Sequence, residues 1–107
     1  MAGKTPAPPK TFRDFSRRFP KLREAWDLLS EAGSDGPLDE KTQRLLKLAV
    51  ALSTRSEGAT HSAVRKALAA GVHGEAIYQV IALAASNIGL PQAAAAFSWV
   101  EDELQKK

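Results

Sequence analysis

From Pro20 to Leu104, apolar residues recur at intervals of three and four, the repeat of an α-helix that buries one face. The pattern is clearest in a third segment, from about Asp39 to Arg55, whose stripe consists of Leu45, Leu48, Ala49 and Leu52. No segment alternates apolar and polar residues as a half-buried strand does. The pattern therefore predicts an all-α fold, a bundle of five to six helices.

Capping residues, prolines and glycines divide the pattern into helices. Thr11 is expected to cap a first helix, and Gly33 to end the second. The expected helices are Phe12 to Arg18, Pro20 to about Gly33, about Asp39 to Arg55, Glu57 to Ala70, Gly74 to Asn87, and Pro91 onward.

Each of the other long helices also has a predicted buried stripe. These residues are Leu22, Ala25, Trp26 and Leu29 in the second helix, Val64, Ala67 and Leu68 in the fourth, Ile77, Val80, Ile81, Ala84 and Ile88 in the fifth, and Ala93, Phe97, Val100 and Leu104 in the sixth. Alanines at facing positions let the helices approach closely.

The chain begins with a proline-rich segment, MAGKTPAPPK, that has no apolar repeat. We expect residues 1–10 to be a disordered lead and residues 11–107 to form a single helical domain. The sequence has no apolar run long enough to cross a membrane and no readable secretion signal. We therefore expect a cytoplasmic protein with no membrane partner.

The net charge of +3 is concentrated near the N-terminus, where residues 1–24 carry seven cations and two carboxylates. Such a segment could attract nucleic acid. However, no motif of interleaved aromatic and basic residues accompanies it. We therefore expect a solvated basic segment and no nucleic-acid partner.

Side chains for metal and redox chemistry are scarce. The chain has no cysteine, so it supplies no thiolate nucleophile, and it has only two histidines, His61 and His73. Two imidazoles are too few for a dedicated zinc site in one chain. We expect neither a metal nor another cofactor. His73 precedes the fifth helix, where an imidazole is a poor N-cap.

An ordered set of short segments between Gly36 and Leu104 resembles the carboxymuconolactone decarboxylase/AhpD-like family. The segments are Pro37-Leu-Asp-Glu-Lys-Thr42, the following Leu-Leu-Lys-Leu-Ala-Val-Ala51, Val64-Arg-Lys-Ala-Leu-Ala-Ala-Gly71, Glu75-Ala-Ile77, Gly89-Leu-Pro91 and Ser98-Trp-Val-Glu-Asp102. The resemblance implies an AhpD-like helical bundle that assembles into a homo-oligomer, with a trimer or hexamer expected.

The resemblance does not extend to the redox residues of the AhpD branch. That branch has Cys-x-x-Cys, a histidine four residues later and a glutamate twelve residues earlier. The corresponding positions here are Ser56, Ala59, Ala63 and Arg44. A hydroxyl and methyl groups cannot replace a pair of thiols. The resemblance therefore gives no support for thiol peroxidase activity.

The string Ser56-Glu-Gly-Ala-Thr-His-Ser62 resembles a largely uncharacterised branch of the family that has Glu-Gly-Ala-x-His-Ser. Glu57 and His61 are four residues apart, so they can lie along one helix face as a general acid/base pair. Arg65 or Arg55 could hold a substrate carboxylate. The hypothesis is acid/base chemistry on a small carboxylated lactone or keto acid.

Two other interpretations remain open. The row Glu57, His61 and Arg65 is also typical of an ordinary solvated or intersubunit helix face. Glu57 alone could serve only to stabilise the positive end of the helix dipole. The alternative to an enzyme is therefore a non-catalytic, oligomeric helical binding or scaffold protein derived from an enzyme fold.

Overall fold

A computed structural model of the chain describes residues 9–106, which contain six α-helices and, within that range, no strand. The helices are α1 (Lys10–Arg18), α2 (Pro20–Ser34), α3 (Glu40–Ser53), α4 (Glu57–Ala69), α5 (Gly74–Ile88) and α6 (Leu90–Leu104). The predicted all-α fold of five to six helices is confirmed. Most of the predicted disordered lead, residues 1–8, lies outside the described residues.

The contacts divide these helices into two compact units. One unit holds α1 and α2 and ends at Leu38, and the other begins at Asp39 and holds α3 to α6. The single domain over residues 11–107 therefore stays a prediction. The two units are described separately below.

The ends of α1 and α2 differ from the sequence-based boundaries. α1 begins at Lys10, with Pro9 at its N-cap position, so Thr11 lies inside the helix and does not cap it. Proline suits the start of a helix, because its ring fixes φ and it has no N–H group that would need a partner. α2 continues through Gly33 to Ser34. The hydroxyl of Ser34 donates to the carbonyl of Glu31 at 3.0 Å and satisfies a carbonyl at the helix end.

The predicted buried stripe of α2 is wrong within this single chain, because neither α1 nor α2 has a buried residue. Trp26 is 50% exposed and Leu29 is 70% exposed. Trp26 makes an edge contact with the ring of Phe12, at 5.7 Å between centroids. A pair of short helices offers too little surface to enclose a side chain on all sides.

In the unit of α3 to α6, the local sequence determines where the helices begin. Asp39 caps α3, since its Oδ1 accepts a hydrogen bond from the N–H of Thr42 at 2.8 Å. Between α5 and α6, Gly89 has φ of +88°, a conformation that favours glycine, and Pro91 follows in the first turn of α6. His73 sits at the N-cap of α5 without a side-chain capping bond, as its poor capping ability predicted.

The core of this unit lies among its four helices, with α3 packed on α4 and α5, and α6 packed on α4 and α5. Its buried members are Leu48, Leu52, Val64, Ala67, Val72, Ile77, Val80, Ile81, Ala93, Ala96 and Val100. The partly buried residues around it include the predicted positions Leu45, Ala49, Ala84, Ile88 and Leu104. The buried stripes of α3 and α5 therefore follow the predicted repeat.

In the unit of α3 to α6, two predicted core positions are wrong. Leu68 is 37% exposed and Phe97 is 47% exposed. In α4 the buried face instead includes Thr60, whose hydroxyl donates to the carbonyl of Ser56 at 2.8 Å, so its polar group has a partner inside the fold. In α6 the buried face includes Ala96, whose small side chain lets neighbouring helices approach closely.

Candidate functional site

The candidate site lies along one face of α4, and Ser56 is the N-cap residue of that helix. The Oγ atom of Ser56 accepts a hydrogen bond from the N–H of Ala59 at 3.2 Å and so caps the helix. Ser56 is the residue that stands where the AhpD branch has its first cysteine. The structure shows that this position has a structural use in the present chain.

Glu57 and His61 lie next to each other, as their spacing of four residues predicted. The Nε2 atom of His61 is 3.4 Å from Oε2 of Glu57. Glu57 is in the first turn and its side chain is 61% exposed, whereas the side chain of His61 is only 19% exposed. The imidazole is therefore held in place by the fold, and the Glu57 carboxylate is free to turn toward solvent.

Glu103 in α6 holds the imidazole, and it was not among the site residues predicted from the sequence. Its Oε2 atom is 2.6 Å from Nδ1 of His61 and 3.0 Å from a guanidinium nitrogen of Arg65. Lys106 reaches the same carboxylate at 3.2 Å. The side chain of Glu103 is only 3% exposed. A buried carboxylate with three partners of this kind is a fixed part of the structure.

A signal for Glu103 was present in the helical repeat. Ala96, Val100 and Glu103 are separated by four and three residues, so they fall on one face of α6. All three are buried. Leu104 was predicted to lie on the buried face of α6, but it is only partly buried, and the neighbouring buried residue is the carboxylate Glu103.

Glu103 is ionised in this environment. Its burial, the largest single influence, raises the pKa of the carboxyl group. The hydrogen bonds from His61 and Lys106, together with the positive charges of Arg65 and Lys106, outweigh that effect and bring the pKa below its ordinary value. The site therefore contains a buried negative charge beside the imidazole.

This charge determines which ring nitrogen of a neutral His61 carries the hydrogen. An ionised carboxylate only accepts hydrogen bonds, so Nδ1 of His61 must donate to Glu103. The lone pair of the neutral imidazole is then on Nε2, the nitrogen that points toward Glu57. A side chain oriented in this way can take up or deliver a proton at Nε2.

The two arginines predicted to bind substrate lie in different places. Arg65 joins the site through Glu103. Arg55 follows α3 with φ of +59°, and its Nε donates to the side-chain oxygen of Gln92 at 3.0 Å. Gln92 and Glu103 are eleven residues apart on α6, or about 16 Å along the helix axis. The structure thus brings together Glu57, His61 and Arg65 but not Arg55.

Gln92 in α6 bonds both to Arg55 and to the end of α3. Its amide nitrogen donates to the carbonyls of Leu52 and Ser53, at 2.9 and 3.0 Å, at the end of α3. The side-chain oxygen of the same amide accepts the bond from Arg55. These contacts tie the end of α3 to the start of α6.

Metal and membrane features are absent from the part of the chain that the structure describes. Within residues 9–106, no group of three or more His, Asp or Glu side chains is arranged to hold a metal ion. None of the helices in this range has the length and apolar character needed to cross a membrane.

Comparison with known proteins identifies the family of the chain. The model of the carboxymuconolactone decarboxylase family matches residues 20–102, which is most of the chain. An uncharacterized protein of Haemophilus influenzae is 41% identical over 49 residues, which is 45% of this chain and 43% of that relative. The match thus spans less than half the length of the relative. The chain belongs to the carboxymuconolactone decarboxylase family, and it lacks the Cys-x-x-Cys motif.

Proposed function

We propose that this protein is a divergent enzyme of its family that moves a proton on a small carboxylated lactone or keto acid. His61 is the general acid/base, with Nε2 as the reacting atom. Glu103 is the positioning residue that holds the ring through Nδ1, and Glu57 exchanges protons between Nε2 and water. The chemistry is of the decarboxylase or isomerase type, and the chain has no thiol for a peroxidase reaction.

The observation that carries the proposal is the contact between Glu103 and His61. A solvated helix face does not require a buried carboxylate 2.6 Å from an imidazole, and burying that charge is costly unless its partners are well placed. Pairing with a carboxylate also fixes the orientation of a catalytic histidine. The arrangement is therefore better suited to acid/base work than an exposed pair at this spacing.

The proposed proton step balances within the site. In a decarboxylation, the bond to the carboxylate carbon breaks, carbon dioxide leaves, and the electron pair stays on the substrate as an enolate or dienolate. Doubly protonated His61 then gives the Nε2 proton to a carbon of that enolate or dienolate and becomes neutral. Glu57, 3.4 Å from Nε2, returns a proton taken from water. An isomerisation uses the same atom first as a base and then as an acid.

Arg65 is the best placed group for a substrate carboxylate. One nitrogen of its guanidinium bonds to Glu103, its side chain is 33% exposed, and a guanidinium has five N–H donors. The remaining donors can hold a carboxylate near His61. Arg55 was the other candidate, but its bond to Gln92 directs it elsewhere, so we do not assign it to the substrate.

A second candidate is a non-catalytic, oligomeric binding or scaffold protein. The observation that favours it is the exposed apolar surface of α3, where Leu46 is 51% exposed and Val50 is 63% exposed. These residues are four apart and so share one helix face. Under either proposal we expect a homo-oligomer, a trimer or hexamer, in the cytoplasm. Light scattering at working concentration tests that expectation.

Proton exchange measured by NMR tests the proposal. Small carboxylated lactones and keto acids are incubated with the protein in deuterated water, and deuterium incorporation next to the carbonyl and release of carbon dioxide are followed. We expect activity on at least one compound, and we expect His61→Ala to lower it by about a hundredfold or more. Glu57→Gln should lower it less, since water can replace a proton exchanger.

His73→Ala is the matched control, because His73 is the other histidine of the chain and lies at the start of α5 without a capping bond. It should retain full activity. If no compound exchanges, or if His61→Ala is as active as the unmodified protein, the enzyme proposal is wrong and the binding protein is favoured.

A further inference from the structure

An open groove lies between α5 and α6, on the part of the fold where these two helices pack together. We call it the α5–α6 groove. Its volume is about 460 Å³, and it is lined by Glu75, Tyr78, Ile81 and Ala82 of α5 and by Phe97 of α6. Sites for small molecules commonly have volumes of about 300 to 1,000 Å³. The groove is therefore large enough to hold a small molecule.

Two aromatic rings form part of the wall of the groove. The ring centroids of Tyr78 and Phe97 are 6.0 Å apart, and the ring planes are inclined by 33°. Phe97 is 47% exposed, although its place in the helical repeat predicted burial. An apolar ring that stays in water gives up hydrophobic stabilisation, which a ligand covering it would recover. The face of such a ring also attracts cations, because its π electrons make it negative.

Two carboxylates accompany these rings. Glu75 lines the groove itself, and Glu101 of α6 accepts a hydrogen bond from the hydroxyl of Tyr78. The other bond to Glu101 comes from the neutral amide of Gln105, at 3.3 Å. Neither carboxylate forms an ion pair with a side chain among residues 9–106. The groove thus combines aromatic faces with negative charge that no cation of this part of the chain balances.

Glu103 shows that carboxylates at this end of α6 can be paired within the fold. It bonds to Arg65, His61 and Lys106, and its side chain is only 3% exposed. Glu101, two residues earlier, is directed to Tyr78 of α5 instead and has no such partner. The fold therefore neutralises one of these two carboxylates and leaves the other beside the groove.

We propose that the α5–α6 groove binds the guanidinium group of a small molecule. The planar cation lies against the ring of Phe97, and its N–H groups donate to the carboxylate of Glu75. Glu101 adds negative charge next to Tyr78. A guanidinium fits better than a quaternary ammonium ion, because the latter has no N–H group to donate to a carboxylate. The groove does not include His61, so the proposal is independent of acid/base chemistry at that residue.

NMR titration of the full chain with N-acetyl-argininamide tests the proposal. Tyr78 is the only tyrosine of the chain, so its ring signals report on the groove without overlap from another tyrosine. We expect these signals to shift saturably, with a dissociation constant on the order of 1 mM or tighter. Binding should weaken when the salt concentration is raised, since the carboxylates are not buried.

Two analogues of the probe separate charge from shape. N-acetyl-citrullinamide has a neutral urea of nearly the same shape as the guanidinium, and it should not shift the Tyr78 signals saturably. N-acetyl-lysinamide carries the same charge on a compact ammonium group. It should bind more weakly than the arginine compound, because it has no planar group that stacks on a ring and offers paired donors.

Variants at two exposed positions locate the site. Glu75→Gln and Phe97→Leu should each weaken binding by about threefold, and the double variant by about tenfold, because exposed ion pairs and cation–π contacts are modest in strength. Asp102→Asn is the matched control, because it removes one exposed negative charge from α6 outside the groove. It should bind as the unmodified chain does.

Three results would overturn the proposal. One is a shift of the Tyr78 signals that stays linear and never saturates. Another is equally tight binding of the citrulline compound, which would mean that the groove does not select a charge. The third is an equal loss of binding in Asp102→Asn and Glu75→Gln, which would indicate general attraction to an acidic surface. If the probe does not bind and Phe97→Leu lowers the mass measured by light scattering, the groove is a contact between copies of the chain.

Discussion

The carboxylate of Glu103 lies 2.6 Å from Nδ1 of His61, although 42 residues separate them in the chain. This contact joins α6 to α4 and surrounds a buried negative charge with His61, Arg65 and Lys106. It gives the imidazole one orientation, with Nε2 directed toward the exposed carboxylate of Glu57. Stability and proposed chemistry therefore depend on the same carboxylate.

Replacing Glu103 with alanine should destabilise the protein by about 3 kcal/mol, because it leaves the partly buried Arg65 and His61 without their common partner. Glu103→Gln should cost less, since the amide keeps the shape and some hydrogen bonds. Chemical denaturation monitored by circular dichroism measures both. Asp102→Ala is the matched control: the adjacent Asp102 is exposed, and a change there should stay within about 0.5 kcal/mol. Equal effects at the two positions would contradict a special role for Glu103.

Acid should destabilise the protein through the same group. The pKa of Glu103 lies below its ordinary value of 4.5 in the folded state and returns to that value on unfolding. The unfolded chain therefore binds this proton more readily, so the stability from ionised Glu103 is fully present above pH 4.5 and is lost as the pH falls through the folded-state pKa. Unfolding free energy measured against pH should show a loss below pH 4.5 that is smaller in Glu103→Gln. If the unmodified protein and Glu103→Gln had identical pH profiles, Glu103 would not be the source of the acid destabilisation.

The hydrogen bond between Tyr78 of α5 and Glu101 can be tested by absorbance spectroscopy, because Tyr78 is the only tyrosine in the sequence. Its hydroxyl donates a hydrogen bond to Glu101, and that bond, followed by desolvation and the charges of Glu101 and Glu75, raises the pKa of Tyr78 above 10.0. Absorbance of the tyrosinate should therefore appear at higher pH than in the unfolded chain. In Glu101→Gln the pKa should fall toward 10.0.

The raised pKa of Tyr78 also determines how the stability of the protein changes with pH. Because the folded state holds this proton more tightly, the contribution of Tyr78 is fully present below pH 10.0 and is lost as the pH rises through the folded-state pKa. Titration of the folded protein at or below 10.0 would contradict the hydrogen bond to Glu101.

Two leucines of α3 test the assigned core. Leu48 is fully buried and Leu46 is 51% exposed. Leu48→Ala should cost about 3 kcal/mol, the usual effect of removing a buried leucine side chain and leaving a cavity. Leu46→Ala should cost less than about 1 kcal/mol in the monomer. Denaturant midpoints of the two variants measure the difference. A reversed order would mean that the buried face of α3 is wrongly assigned.

The fold was largely predictable because its information is local. The spacing of Leu48 and Leu52 in α3, and of Ile77, Val80 and Ile81 in α5, matches the 3.6-residue repeat, and all five residues are buried. In these two helices the repeat identifies the buried face, because other helices of the unit pack around it. In α2 the same spacing led to a wrong prediction, since α1 and α2 form a separate unit with no buried residue.

The candidate site was predictable only in part. Glu57 and His61 were found because their contact is set by helix geometry over four residues. Glu103 was missed because its contact with His61 is long-range, and because a carboxylate next to Asp102 suggests a solvated helix end. Arg55 was assigned from its nearness in sequence, and its bond to Gln92 depends on how α6 packs against the end of α3. Packing, which a helical repeat does not specify, decides these positions.

Nitrogen-15 NMR of the two imidazoles tests the central claim most directly. In the neutral form of the ring, the hydrogen of His61 should be on Nδ1, with a one-bond coupling there and an unprotonated Nε2. In Glu103→Gln this preference should weaken, and His73 serves as the internal reference in both spectra. A neutral His61 protonated mainly at Nε2 would contradict the account, because Glu103 would then not be the group that orients it.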